Sequence, residues 1–173
     1  ARINVPVENG TVLVFSDAHF WNDNPSTAYK ALIKYIEELK PKLVVCNGDA
    51  FDGANVSRHG RIGFLENRPD VYQELEACKT MLGGIEDACK KIKPSPVLTW
   101  TLGNHDMRYE SALVSRAPEF SGVDGFNLKY HFPHWETCWS FWVNDDTVIK
   151  HRHKGGRYAG YNNVQASFSN IFT

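Results

Sequence analysis

Three short polar segments hold the side chains of this chain that could do chemistry, and each directly follows a run of strand-forming residues. Their sequences are Asp17-Ala18-His19, Gly48-Asp49-Ala50-Phe51-Asp52 and Gly103-Asn104-His105-Asp106. If the three strands are neighbours in one sheet, carboxylate, imidazole and amide groups meet at one edge of that sheet. These groups supply the oxygen and nitrogen atoms that divalent metal ions bind in proteins. The pattern therefore predicts a metal centre.

The elements that must position these segments are predicted from hydrophobic patterning. Residues 11–15, 43–46 and 97–102 are apolar runs that favour buried strands. A helix is predicted over residues 26–39 and another over residues 70–92, because apolar side chains recur there at helical spacing. Strands that alternate with helices indicate a parallel sheet with helical crossovers.

The helix over residues 70–92 has a well-marked start and a potential interruption. Asp70 and Gln73 have the spacing of a capping box. Gly83-Gly84 lies inside the apolar stripe and is expected to break or bend the helix, at a cost of about 1 kcal/mol per glycine relative to alanine. The preceding residues 51–70 are predicted to form an extended loop across the face where the metal ligands emerge.

The last third of the chain predicts a second set of strands. Residues 139–143 and 147–150 are expected to pair in antiparallel fashion around a turn at residues 144–146. Trp139 and Trp142 alternate along the first of these strands and are expected to lie in the core. Further elements are predicted as helices over residues 109–116 and 158–168 and a strand over residues 169–173.

Length, charge and composition exclude several classes of protein. The chain of 173 residues is 42% hydrophobic, which suits one domain over residues 1–173. A formal net charge of -1 excludes a broad basic surface that would hold nucleic acid nonspecifically. No run approaches the roughly 20 apolar residues of a membrane span, and the first residues do not resemble a signal peptide, so we expect a soluble, cytoplasmic protein without a membrane partner. The cysteines are expected to be reduced thiols, at positions 46, 78, 89 and 138.

The three polar segments resemble the motifs of the calcineurin-like metallophosphoesterases, from residue 12 to about residue 163. The family's pattern is Asp-x-His, Gly-Asp-x-x-Asp, Gly-Asn-His-Asp/Glu, a lone histidine and then Gly-His-x-His, and the first three motifs occur here in order. The resemblance implies an α/β fold of the α/β/β/α sandwich type, in which two packed mixed sheets are flanked by helices. It also implies that the protein hydrolyses a phosphate ester.

The same resemblance implies a centre of two divalent metal ions. Asp17 and His19 would bind the first ion, Asp49 would bridge both ions, and Asn104 would bind the second through its amide oxygen. Manganese is the expected metal, and these ligands also accept Fe, Zn, Ni or Mg. Two ions about 3.5–4 Å apart can polarise a phosphoryl group and stabilise the attacking and leaving oxygens of an in-line displacement.

The resemblance gives His105 and Asp106 catalytic roles. His105 would contact the phosphate and protonate the leaving oxygen, which suits an imidazole because it titrates near the working pH. Asp106 would hydrogen-bond His105 and fix the orientation of its ring. Asp52 is expected to order the loop and support the ligands, without binding metal itself.

The family's lone histidine has more than one candidate in this chain. His151 directly follows the predicted strand over residues 147–150 and is the favoured ligand, with His153 as the second candidate. A competing alignment treats residues 151–153 as the final His-x-His and leaves His131 or His134 as the lone ligand. Packing or a place in the substrate wall is the preferred interpretation of those two histidines.

The last motif of the family, Gly-His-x-His, is absent. It normally supplies one histidine to each metal ion, so both sites would lack a ligand here. The predicted strand over residues 169–173 would lead directly into that motif, and we therefore expect the sequence to be incomplete at its C-terminus. The alternative expectation is a protein that binds metal weakly and is a poor enzyme.

The residues expected to contact substrate lie in the loop over residues 51–70. Arg58, His59 and Arg61 are candidates for substrate binding because arginine forks match phosphate oxygens, although solvated loop charges explain them equally well. These residues, with a general resemblance to compact phosphoesterases of bacteriophages and bacteria, favour a phosphodiesterase or nuclease acting in a host cytoplasm. The alternatives are a phosphomonoesterase acting on a phosphoprotein or small metabolite, and a non-catalytic interaction domain. The oligomeric state stays open.

Overall fold

Two four-stranded sheets form the framework of the protein. The computed structural model describes residues 3–57, 69–152, 155–167 and 170–172. In these residues the strands are, in chain order, β1 (Asn4–Val5), β2 (Val12–Phe15), β3 (Leu43–Cys46), β4 (Val97–Thr101), β5 (Glu136–Cys138), β6 (Phe141–Val143), β7 (Thr147–Ile149) and β8 (Asn170–Phe172).

The first sheet has the order β2-β3-β4-β5, and all of its strands are parallel. Phe15 pairs with Cys46, and Cys46 pairs with Trp100, so β2, β3 and β4 end side by side. Because the carboxyl ends of parallel strands meet at the same edge of a sheet, the loops that follow these strands emerge together. The three polar segments are those loops.

The second sheet has the order β1-β6-β7-β8 and is mixed. β6 and β7 pair in antiparallel fashion, as predicted, whereas β1 runs parallel to β6 and β8 runs parallel to β7. The fold is therefore the predicted α/β sandwich, with the finer detail that one of the two sheets is parallel throughout.

Helices flank the two sheets, and the longest of them begin at the predicted caps. The Ser26 hydroxyl accepts a hydrogen bond from the Tyr29 backbone N–H (3.1 Å), and Asp70 and Gln73 form both bonds of the capping box. Both caps satisfy backbone N–H groups that have no partner within the helix. The helices are α1 (Thr27–Leu39), α2 (Val71–Lys90), α3 (Asp106–Arg116), α4 (Leu128–His131) and α5 (Ala159–Ser167).

Gly83-Gly84 does not interrupt α2, contrary to the sequence-based expectation. A Cβ atom at Gly84 would overlap the Tyr29 hydroxyl, which donates a hydrogen bond to the Met81 carbonyl oxygen (2.8 Å). Gly84 therefore lets α1 and α2 approach closely, and the packing of the two helices offsets the low helix propensity of glycine.

The hydrophobic core has two parts, one on each face of the parallel sheet. Leu43 and Val45 of β3 point toward the mixed sheet and pack with Phe141. Val44 and Cys46, on the opposite face of the same strand, pack against the helices. This alternation is the two-residue period of a strand buried on both faces.

Two local expectations differ from the structure, and one strand was not expected. α3 begins at Asp106, within the third polar segment, and β5 was not predicted because its three residues show no periodic pattern. Trp139 is 57% exposed and not part of the core, because it follows β5 and precedes β6 in a connecting segment. Within the described residues, no helix combines the length and apolar character needed to cross a membrane.

Candidate metal centre

The loops after β2 and β3 are joined by backbone hydrogen bonds that bring their polar side chains together. The Asp17 N–H donates to the Gly48 carbonyl oxygen (3.0 Å), and the His19 N–H donates to the Asp49 carbonyl oxygen (2.9 Å). The hydrogen bonding between the two strands thus extends into the loops that follow them. As a result, Asp17 and His19 lie beside Gly48 and Asp49.

The backbone at these residues adopts a conformation that L-amino acids rarely take. Asp17, His19 and Asp49 have φ angles of 53°, 44° and 55°, in the left-handed region. Such conformations cost about 1–3 kcal/mol each and persist only where the surroundings enforce them, commonly at functional sites. Three such residues occur at adjacent strand ends. The fold therefore accepts a backbone cost here, and we infer that it does so to hold these side chains in directions that the site requires.

Asp49 lies at the centre of the site and is 4% exposed. It belongs to two groups of potential metal ligands, one with Asp17 and His151 and the other with His19 and His105. In each group the ligand atoms all lie within 4.8 Å of one another. A carboxylate shared by two adjoining groups is the arrangement that a bridging ligand between two ions requires.

His151 reaches this site from the mixed sheet, since it follows β7. Its Nδ1 donates a hydrogen bond to the Asn47 carbonyl oxygen (2.7 Å), which leaves Nε2 facing Asp49 Oδ2 at 3.3 Å. A ring held in this way presents the second nitrogen to a metal ion, as metal-binding histidines in proteins do. Gly48 makes the approach possible, because a Cβ atom there would overlap the His151 ring.

Asp106 is fully buried and supports the backbone around Asp49. Its carboxylate accepts hydrogen bonds from the backbone N–H groups of Asp49 (2.8 Å), Gly103 (2.8 Å) and Phe51 (3.0 Å), and from Trp100 Nε1 (3.1 Å). Burial raises the pKa of Asp106 to about 6, although the three backbone hydrogen bonds act in the opposite direction.

The predicted hydrogen bond between Asp106 and the His105 ring is wrong, because the Asp106 carboxylate is turned into the core toward its four donors. Asp52 takes that place. Its Oδ1 lies 3.1 Å from His105 Nδ1 and 3.0 Å from His19 Nδ1, and the two imidazole rings meet edge to face with their centroids 4.4 Å apart. One carboxylate therefore orients both imidazoles. These contacts are in keeping with the expected supporting role of Asp52, which stays a prediction.

Two neighbours of the site were not predicted from the sequence. Asn47 is buried, with its side-chain oxygen accepting a hydrogen bond from Thr101 (2.6 Å) while its carbonyl oxygen holds His151. Arg108 lies one helical turn after His105 and contacts both nitrogens of that ring. Their only sequence cues are that Asn47 directly precedes Gly48-Asp49 and that Arg108 has the i, i+3 spacing that places two residues on one helix face.

The other predicted site residues lie near the two ligand groups around Asp49, or they fall outside the described residues. Asn104 is exposed and follows Gly103, whose lack of a Cβ atom lets the loop pack directly against Asp49. In the described part of the chain its side chain forms no hydrogen bond, so its amide is free to bind a ligand. The residues that fall outside the described ranges are Arg58, His59, Arg61 and His153.

His131 and His134 lie away from the candidate ligand groups. His131 Nε2 donates to the Gly125 carbonyl oxygen (2.7 Å) and is 3.2 Å from the Tyr109 hydroxyl. His134 lines a cleft at the amino-terminal ends of β4 and β5, at the opposite edge of the sheet from Asp49. The place of His131 agrees with the packing interpretation, whereas His134 is exposed. Neither histidine lies in a candidate ligand group, so the structure does not support the competing alignment.

The donor set suits a pair of divalent ions. Carboxylate and imidazole groups together accept several first-row ions, and closely spaced carboxylates need a positive charge between them. The fold and the site therefore define an α/β sandwich with a candidate dinuclear metal centre at the carboxyl edge of its parallel sheet.

The family model of the calcineurin-like phosphoesterases matches residues 10–170, and the chain belongs to this family. Hydrolysis of phosphate esters with divalent metals is the general activity of the family. No curated protein and no solved structure matches the chain.

Proposed function

We propose that the protein hydrolyses phosphate esters at two divalent ions, with a phosphodiester or nucleic-acid end as the preferred substrate. The observation that carries the proposal is that buried Asp49 lies beside three other potential ligands, Asp17 and His151 in one group and His19 in the other. His105, the third member of the group with His19, is assigned to proton transfer below. Asp49 would bridge the ions, and the remaining positions would be filled by Asp17, His19, Asn104 and His151. When bound, manganese or a related ion would polarise the phosphoryl group and make an attacking water more acidic.

His105 would donate the proton that the leaving oxygen needs. Its Nδ1 lies 3.1 Å from the Asp52 carboxylate, so a protonated ring can donate there while Nε2 carries the proton to be transferred. The carboxylate stabilises the imidazolium form, and it fixes the ring orientation at the same time. In this proposal Asp106 acts at a distance, through the backbone of Asp49 and Gly103.

The preference for a diester rests on exposed aromatic side chains at the same edge of the sheet. Trp21 follows the loop after β2 and is 50% exposed, and Trp139 follows β5 at the other end of the four strand ends. Exposed indoles that follow the two outer strands at this edge of the sheet can stack on an aromatic group carried by a substrate, such as a nucleobase. The chain has a formal net charge of -1, so it lacks the excess of positive charge that binds a long phosphate backbone. It would therefore bind such a substrate through contacts near the metal centre.

The proposal is tested by comparing cleavage of bis-p-nitrophenyl phosphate with cleavage of p-nitrophenyl phosphate in the presence of Mn²⁺. Faster turnover of the diester is expected, and it should disappear when the metal is removed by a chelator and return on addition of Mn²⁺. Cleavage of the monoester alone would favour a phosphomonoesterase. If neither ester is cleaved and no metal is bound, the protein is a non-catalytic member of the family.

A further inference from the structure

Arg108 makes an unusual contact with the proposed proton donor. Its Nη1 lies 2.7 Å from His105 Nδ1, its Nη2 lies 3.0 Å from His105 Nε2, and Nη1 also donates to the Asp52 carbonyl oxygen (3.0 Å). A guanidinium group can only donate hydrogen bonds. A neutral imidazole has a lone pair on one nitrogen only, so at most one of the two ring contacts is a hydrogen bond.

The His105 ring is a poor partner for this guanidinium. His105 Nδ1 lies 2.9 Å from the Asp52 carbonyl oxygen and 3.1 Å from Asp52 Oδ1, and both oxygens can only accept. Nδ1 therefore donates to Asp52 and offers Arg108 no lone pair. Only the contact of Arg108 Nη2 with Nε2 can then be a hydrogen bond, so the ring satisfies one guanidinium donor at most.

The charge of Arg108 is available for another anion. Its side chain is partly buried, and within the described residues no carboxylate forms an ion pair with it. The aliphatic part of the Arg108 side chain packs against Gly53, where a Cβ atom would lie 3.1 Å from Arg108 Cβ. Gly53 also has a φ angle of 61°, which favours glycine. The loop thus holds the guanidinium beside His105 without neutralising it.

We propose that Arg108 is the residue that binds the phosphoryl group of the substrate. The N–H groups of its guanidinium move from the His105 ring and donate to two non-bridging oxygens of the phosphate. The planar guanidinium matches the spacing of these oxygens, which a lysine ammonium group does not. Substrate binding thereby gives the guanidinium two acceptors, which the His105 ring does not offer. This role rests on the proposed function, because it requires a phosphate ester at the metal centre.

The test compares Arg108→Gln and Arg108→Lys with Arg116→Gln, an exposed arginine at the end of the same helix. Binding of inorganic phosphate to the Mn²⁺-loaded protein is measured by calorimetry, together with kcat, KM and metal content for bis-p-nitrophenyl phosphate. We expect Arg108→Gln to weaken phosphate binding by about tenfold or more, as loss of a charged hydrogen-bonding partner does. Arg108→Lys should recover part of the loss, while metal content and the Arg116→Gln variant stay unchanged.

The outcomes separate this role from the proposed function. Phosphate binding by Arg108→Gln that equals that of Arg116→Gln would overturn the role of Arg108, even if the wild-type protein cleaves the diester. A wild-type protein that binds phosphate through Arg108 and cleaves neither ester would support this role and contradict the proposed function. Loss of metal from Arg108→Gln would also overturn the role, because the arginine would then stabilise the centre and not the substrate.

Discussion

Nε2 of His151 lies 3.3 Å from Oδ2 of Asp49, although the two residues follow strands of different sheets. Asp49 follows β3 of the parallel sheet, and His151 follows β7 of the mixed sheet. The candidate metal centre is therefore located where the edges of the two sheets meet. Formation of the group of Asp17, Asp49 and His151 depends on the packing of the sandwich, because neither sheet alone brings these three residues together.

Replacing Asp52 by Asn should impair both metal binding and turnover. The Asp52 carboxylate lies near Nδ1 of His19 and of His105, and an amide removes the charge that orients both rings. We expect a loss of about 10–100-fold in Mn²⁺ affinity and in kcat, the usual effect of losing such a supporting group. Metal titration and steady-state kinetics measure both, with Asp124→Asn, an exposed aspartate, as the control. Metal affinity and kcat equal to those of the control would show that Asp52 does not position the ligands.

Replacing Asp106 by Ala should destabilise the fold. The substitution leaves four buried donors without their acceptor, and each unsatisfied donor costs about 1–3 kcal/mol. We expect the free energy of unfolding to fall by at least about 3 kcal/mol, measured by urea denaturation of the metal-free protein. Asp124→Ala serves as the control. A fall of less than about 1 kcal/mol would contradict the supporting role of this carboxylate.

Alanine at Gly83 and at Gly84 should have opposite effects. A Cβ atom at Gly83 meets open space, so Gly83→Ala should stabilise α2 by about 0.5–1 kcal/mol through higher helix propensity. At Gly84 the added methyl group would collide with the Tyr29 hydroxyl, and we expect a loss of about 1–3 kcal/mol. Thermal unfolding of the two variants provides the comparison. Equal effects at the two positions would mean that α1 and α2 are not packed as described.

The cysteine thiols should react slowly in the folded protein. Burial raises the pKa of Cys46 and Cys78 well above the ordinary value, and raises those of Cys89 and Cys138 to about 11. Because the thiolate is the reactive form, little reaction with Ellman's reagent is expected at pH 8 before the chain is unfolded. Cys138→Ser, which removes the least buried thiol, shows whether any residual reaction comes from that position. Rapid labelling of the Cys138→Ser variant in its native state would contradict the buried positions.

Local sequence patterns predicted those parts of the fold that local interactions determine. Residues 43–46 form a strand with the predicted bounds because a continuous apolar run suits a strand buried on both faces. The Asp70 capping box determines the start of α2. β5 escaped prediction because Glu136–Cys138 becomes a strand only by pairing with β4. Gly84 was misjudged for the same reason, since its neighbour Tyr29 lies on another helix.

In the candidate site, too, local patterns predicted some features, whereas contacts between distant parts of the chain determine the others. The positions of the three polar segments predicted that Asp17, His19, Asp49 and His105 come together, because each segment follows a strand of one parallel sheet. They did not predict that the Asp106 carboxylate turns into the core. The contacts of Asp52 with His19 and His105 depend on how the loop after β3 faces the first turn of α3, and no local pattern encodes that relation. The contact of Arg108 with the His105 ring depends on it too.

Titration with Mn²⁺ tests most directly whether Asp49 bridges two ions. We expect the wild-type protein to bind two ions per chain, Asp49→Asn to lose both ions and all turnover, and His105→Ala to bind metal like the wild type while turnover falls about 10²–10⁴-fold. Retention of both ions by Asp49→Asn would contradict the bridging role. Equal loss of metal in the Asp49→Asn and His105→Ala variants would contradict the division between metal ligand and proton donor.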